Sequence, residues 1–122
     1  MKSLLVALGL LTGCAAPEAT EPVAGAPADC ALWVGFGSYA MGIDRGTLER
    51  VEALLAADRG VLDVERLPWG REGEVTLCVR LRRESEARPL FERITAMLPA
   101  DPRGPISVST RGGLRFDAPK RP

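Results

Sequence analysis

Histidine is absent from this 122-residue chain. That excludes Ser-His-Asp triads, the usual general base near neutral pH and the commonest zinc ligand. Lysine is almost as scarce, occurring only as Lys2 and Lys120. A Ser-Lys dyad or a Schiff base would have to rest on Lys120, two residues from a C-terminus that reads as disordered. Charge of one sign is missing too, because 16 basic and 16 acidic side chains balance. A nucleic-acid partner is therefore not expected. Aromatic residues are few, and no stretch approaches the roughly 20 apolar residues that a membrane-spanning helix needs. No glycine pattern matches a dinucleotide fingerprint, and neither a cofactor nor a metal is indicated.

What is present begins with Lys2, the apolar run Leu4 to Leu11, and then Thr12-Gly13-Cys14, which is the layout of an export signal. Leu11-Thr12-Gly13-Cys14 resembles the lipobox of bacterial lipoprotein signals, and the resemblance covers only about these first residues. It implies diacylglyceryl transfer to the Cys14 thiol, further acylation with chains such as palmitate, and cleavage just before Cys14. Each buried acyl CH₂ contributes about 0.8 kcal/mol, so two or three chains hold a small protein durably. The resemblance thus implies a cell-envelope protein tethered to a membrane by lipid. Ala15, rather than Asp, follows the cysteine, which implies the periplasmic face of the outer membrane.

The expected organisation is a signal peptide over 1–13, a lipidated cysteine and spacer over 14–29, one domain over 30–117 and a disordered tail over 118–122. The spacer is rich in alanine and proline and has no aromatic residue, so it reads as a flexible tether. Cys30 and Cys78 are the remaining cysteines. In an oxidising compartment such a pair reads first as a disulfide, with two buried thiols as the alternative.

Within the domain, Leu32, Val34 and Phe36 alternate with Trp33 and Gly35 as in a strand. Asp44 is placed to cap a helix running to about Ala57, with Leu48, Val51, Leu54 and Leu55 on one face and Gly60 beyond its end. Val61 to Leu67 reads as a short strand with Leu62 and Val64 inward, and Glu74 to Arg82 as a stronger one; the loop 68–73 joins them as a hairpin. A second helix is expected from a cap near Ser85 to just before Pro99. Ile106 to Arg111 follows as a strand, and Gly112-Gly113 turns it into Leu114-Arg115-Phe116. The order predicts an α+β, ferredoxin-like βαββαβ two-layer sandwich with a short C-terminal β-hairpin extension.

Four groups of residues carry the candidate chemistry. Asp63 with Glu65, and Glu72 with Glu74, are carboxylate pairs at alternating positions that share a sheet face. The loop containing Gly35, Gly37, Ser38, Tyr39 and Gly42, followed by Arg45, offers backbone amides at a helix N-terminus where an anionic ligand would bind, although Asp44 would repel phosphate there. Arg80, Arg82, Arg83 and Arg88, with Arg103, Arg111 and Arg115, make the C-terminal half basic. If Val79 and Leu81 face the helices, Arg80 and Arg82 lie on an uncovered sheet face with Thr76 and Cys78. Together with Trp69 they form a candidate surface for an envelope protein, a glycan or anionic lipid. The leading expectation is a noncatalytic binding or assembly module. The competing one is a small envelope hydrolase or ligand-modifying enzyme using carboxylates near the first strand-helix loop.

Overall fold

The computed structural model describes residues 29–120. The lipobox Leu11 to Cys14, the spacer from Ala15 to Ala28 and the last two residues lie outside the described residues. The chain runs β1 (Leu32–Phe36), α1 (Arg45–Ala57), β2 (Val61–Pro68), β3 (Val75–Leu81), a single 3₁₀ turn (Glu84–Glu86), α2 (Ala87–Met97), β4 (Ile106–Thr110) and β5 (Arg115–Ala118). It is an α+β domain with a five-stranded sheet in the order β2-β3-β1-β4-β5, every neighbouring pair antiparallel.

Period-two patterning decides which face is covered. Leu32, Val34 and Phe36 of β1, Val75, Leu77 and Val79 of β3, and Ile106 and Val108 of β4 form one core with Leu48, Val51 and Leu55 of α1 and Leu90 and Ile94 of α2. Both helices therefore pack on the same face. Each fully buried aliphatic side chain contributes about 1.5–3 kcal/mol, so this layer dominates stability. The opposite face has no helix among the described residues.

α1 starts where Asp44 Oδ1 accepts the Thr47 amide at 3.1 Å, the cap its sequence predicts. α2 starts differently from expectation. Ser85 lies inside the 3₁₀ turn, and Glu86 at the cap position makes no side-chain bond to the helix amides. Pro89 sits in the first turn of α2, where its missing N–H would have had no helical acceptor.

Two further differences have local causes. A bulge between Val61 and Asp63 turns Leu62 outward, where it is 54% exposed, and Val61 and Val64 pack toward the core instead. One inserted residue reverses the facing of whatever precedes it, so Leu62 does not point inward as the alternation suggested. The C-terminal strand continues past Phe116, because Ala118 pairs with Ile106 and is buried; ordered structure thus extends into the expected tail.

Cys30 and Cys78 are joined by a disulfide with Cα atoms 5.4 Å apart. Closing the 48-residue separation restricts the unfolded chain by about 4 kcal/mol in the chain-entropy account. The bridge lies on the helix-free face, where it packs with Trp33 and Leu67.

Candidate functional site

Register places two rows of side chains straight across the helix-free face. One row is Leu67, Thr76, Gly35, Ser107 and Asp117; the next is Glu65, Cys78, Trp33, Ser109 and Arg115. The middle of the first row is a low floor. Gly35 has no side chain, and a Cβ there would come within 3.1 Å of Ser107 Oγ. Trp33 lies beside this floor and is buried against Cys30, Cys78 and Leu67. Trp69 borders it at the hairpin end, its indole Nε1–H donating to Thr76 Oγ1 at 3.0 Å. The Trp33 indole N–H is buried and has no acceptor among the described residues.

Arg80 lies on the same face, as its alternation with Val79 and Leu81 requires, and it is fully engaged. Its Nε donates to Asp29 at 2.9 Å, its Nη1 to Asp63 at 3.1 Å and its Nη2 to Glu65 at 3.1 Å. These bonds raise the guanidinium pKa further and lower that of Asp29. With three carboxylates around one cation, this end of the face is acidic rather than basic. The first carboxylate pair, Asp63 and Glu65, is thereby absorbed into holding Arg80.

The other arginines are dispersed. Arg82 turns away to the α1–β2 connection, where its Nε donates to the Arg59 carbonyl. Arg88 approaches Glu92 at 3.9 Å, Arg111 pairs with Glu84, and Arg115 pairs with Asp117 along β5. Among the described residues no continuous positive surface forms on the open face, because β3 ends at Leu81 and Arg82 and Arg83 lie beyond it.

The loop between β1 and α1 does not converge on one ligand. Ser38 Oγ accepts the amides of Ala40 and Gly42, both at 2.9 Å, and donates to Glu72 Oε1 at 2.7 Å. Two of the amides that would cradle an anion, those of Ala40 and Gly42, are spent inside the loop. The Ser38–Glu72 contact has the outline of a nucleophile and a base. Both hydroxyl lone pairs are committed to amides, however, which opposes attack on a substrate. Glu74 Oε1 in turn accepts the Glu72 amide and orders the hairpin.

Asp44 closes the remaining route to an anion site. Its second oxygen accepts the Arg103 amide at 3.0 Å, while the first caps α1. Partial burial pushes its pKa upward, but the bonds from the Arg103 and Thr47 amides outweigh this and lower it. A carboxylate so held is ionised at neutral pH and makes a poor general acid.

Loop residues line separate depressions. Gly42, Asp44 and Arg45 border one of about 710 Å³ with Met41, Asp101 and Arg103. Tyr39 borders another of about 370 Å³ against Pro105 and Pro119. Arg45 also reaches a third, of about 330 Å³, lined by Arg66, Trp69 and Arg71. Gly35 belongs to the sheet, and Gly37 donates its amide to the Pro105 carbonyl. Among the described residues there is no metal-binding cluster of His, Cys, Asp or Glu, and no helix is long and apolar enough to cross a membrane.

The sequence did not signal the floor around Gly35, because its members come from strands far apart in the chain. Alternation within β1, β3 and β4 assigns Gly35, Thr76 and Ser107 to the polar side individually; only register aligns them. No family model, curated protein or solved structure matches the chain.

Proposed function

We propose that this chain is a lipid-anchored envelope protein whose domain is a noncatalytic binding or assembly module acting through the helix-free sheet face. The observation that carries this reading is the one-sided sheet. Two helices bury one face, while the helix-free face keeps Gly35 and Ser107 partly exposed and Trp69 half exposed, over a buried Trp33 and Thr76. An exposed indole beside small polar residues suits a flat protein or glycan surface. The acidic ring around Arg80 argues against anionic lipid as the partner. The commitments of Ser38, Asp44 and both carboxylate pairs favour binding over catalysis.

The fold reading behind this is ferredoxin-like. Taken from the other side, the strands run β4-β1-β3-β2 with β5 added outside β4, and that antiparallel order supports the assignment. The anchor rests on Lys2, the apolar run and Leu11-Thr12-Gly13-Cys14, and Ala15 favours the outer membrane. Mass spectrometry of the mature N-terminus, with Cys14→Ser as control, tests it; an unacylated wild-type protein refutes lipidation.

A photocrosslinker replacing Ser107 on the open face, compared with one replacing Glu49 on α1, tests the binding surface in intact cells. The expected result is a discrete adduct from Ser107 and none from Glu49. Equal adducts from both positions, or none from Ser107 while purified protein turns over an envelope metabolite, overturn the reading.

A further inference from the structure

The depression between the start of α1 and the β2–β3 hairpin gathers charges that the domain does not use. It holds about 330 Å³ and its walls include Arg45, Arg66, Trp69, Arg71 and Glu74, a size within the roughly 300–1,000 Å³ of small-molecule sites. Arg66 is spent, because its Nε and Nη2 donate to Glu52 at 2.7 and 2.8 Å. Neither Arg45 nor Arg71 has a side-chain partner among the described residues. Two unpaired guanidiniums beside a half-exposed indole give this hollow the composition of a binding hot spot.

The backbone is shaped to assemble it. Gly73 takes φ +90°, and a Cβ there would lie 3.3 Å from Arg45 Nη2, so the missing side chain lets the guanidinium from α1 lie over the hairpin. Gly70, at φ +73°, leaves the space that Glu74 Oε1 fills. Ser38, donating to Glu72 at 2.7 Å, fastens the loop before α1 to the same hairpin. Trp69 is held at its polar end, since its indole N–H donates to Thr76, which is buried. Its exposed ring is therefore a wall of set orientation. The amides at the start of α1 take no part. Asp44 is turned to the Thr47 and Arg103 amides and Glu72 to Ser38, and neither carboxylate lines the hollow.

We propose that this hollow binds a carboxylate-bearing pyranose, the acidic unit of a glycan or the free uronate. Arg45 and Arg71 take the carboxylate through charge-assisted hydrogen bonds. The apolar C–H face of the sugar ring stacks on Trp69. Glu74 Oε2, which has no partner among the described residues, accepts a sugar hydroxyl while Oε1 stays on the Glu72 amide. Charge selects the class, because two free guanidiniums against the one carboxylate of Glu74 leave a single positive charge for a monoanion. An acidic peptide fits less well: its successive carboxylates meet Glu74, and its side chains bring no donor to that oxygen. The site shares Trp69 with the helix-free face and does not depend on that face binding anything.

The full chain with its disulfide intact is titrated with sodium glucuronate while the two indole N–H resonances are followed by NMR. Trp69 is expected to shift saturably and the buried Trp33 to stay still. Glucose, which lacks the charge, and acetate, which lacks the ring, should each bind about tenfold more weakly or worse. Arg45→Ala and Arg71→Ala should each weaken glucuronate about fivefold or more, the loss of one charge-assisted contact at an exposed site, with the melting temperature unchanged. Arg88→Ala, on α2, removes the same charge elsewhere and should leave the affinity as it is. No saturable shift at Trp69, equal affinity for glucuronate and acetate, or equal losses in Arg71→Ala and Arg88→Ala overturns the proposal. Tighter binding of tetraglutamate than of glucuronate overturns the sugar assignment. None of these readouts involves Ser107, so a failure here leaves the open-face crosslink to be judged by itself.

Discussion

Removing the Asp44 carboxylate probes the joint between the first loop and α1. In Asp44→Ala the Thr47 amide loses its cap, which costs about 1 kcal/mol. The Arg103 amide loses a charged acceptor, and because that contact is exposed the loss lies near the low end for such bonds, about 1 kcal/mol more. The sum, about 2 kcal/mol, corresponds to a fall in Tm of roughly 10 °C for a domain this size. Asp44→Asn keeps one acceptor oxygen and should fall between the two. The sign of the pH dependence follows from the lowered pKa of Asp44 in the folded state. Its contribution is fully present above the unfolded value of about 4 and is lost as pH falls through the folded value. Urea unfolding with the disulfide intact should therefore show the wild-type advantage near neutral pH and a shrinking gap in acid. A gap below about 0.5 kcal/mol at neutral pH, or one that persists undiminished after protonation, refutes the double-acceptor role.

Three further outcomes are expected. Cys30→Ala combined with Cys78→Ala should lower unfolding free energy by about 4 kcal/mol, measured by denaturant titration against the oxidised wild type. Gly104→Ala should destabilise strongly and lower Tm, since its Cβ would collide with the Gly37 carbonyl oxygen, a backbone atom fixed by the β1–β4 junction; a wild-type melting curve would show that junction to be loose. Leu62→Ala should change stability by less than about 0.5 kcal/mol while Val64→Ala costs about 1 kcal/mol, and the reverse ranking would place the β2 bulge elsewhere.

Local chemistry made most of the architecture readable. Asp44 three residues before Thr47, the 3.6-residue spacing of Leu48, Val51 and Leu55, and the alternation through β1 and β3 each specify an element with no outside help. The disulfide was legible because two cysteines leave a single pairing within the domain. Illegible features were those set by distant residues. The bulge before Asp63 depends on pairing with β3, so alternation alone put Leu62 on the wrong side. Arg80 looked like part of a basic run because its neighbours in sequence are arginines; its neighbours in space are carboxylates 15, 17 and 51 positions away. The loop from Gly35 to Gly42 read as a set of amides open to an anion, and Ser38 Oγ is instead the atom around which two of them close.

The disulfide also governs how the domain would respond to a mechanical pull. Tension arriving along the chain at Asp29 meets Cys30 before it reaches β1. The covalent bridge divides that load between β1, the central strand, and its neighbour β3. Peeling β1 away from its leading end is blocked, because Cys30 cannot separate from Cys78 while the bond stands. Reduction would convert a load shared across the sheet into one that unzips the central strand a pair of hydrogen bonds at a time.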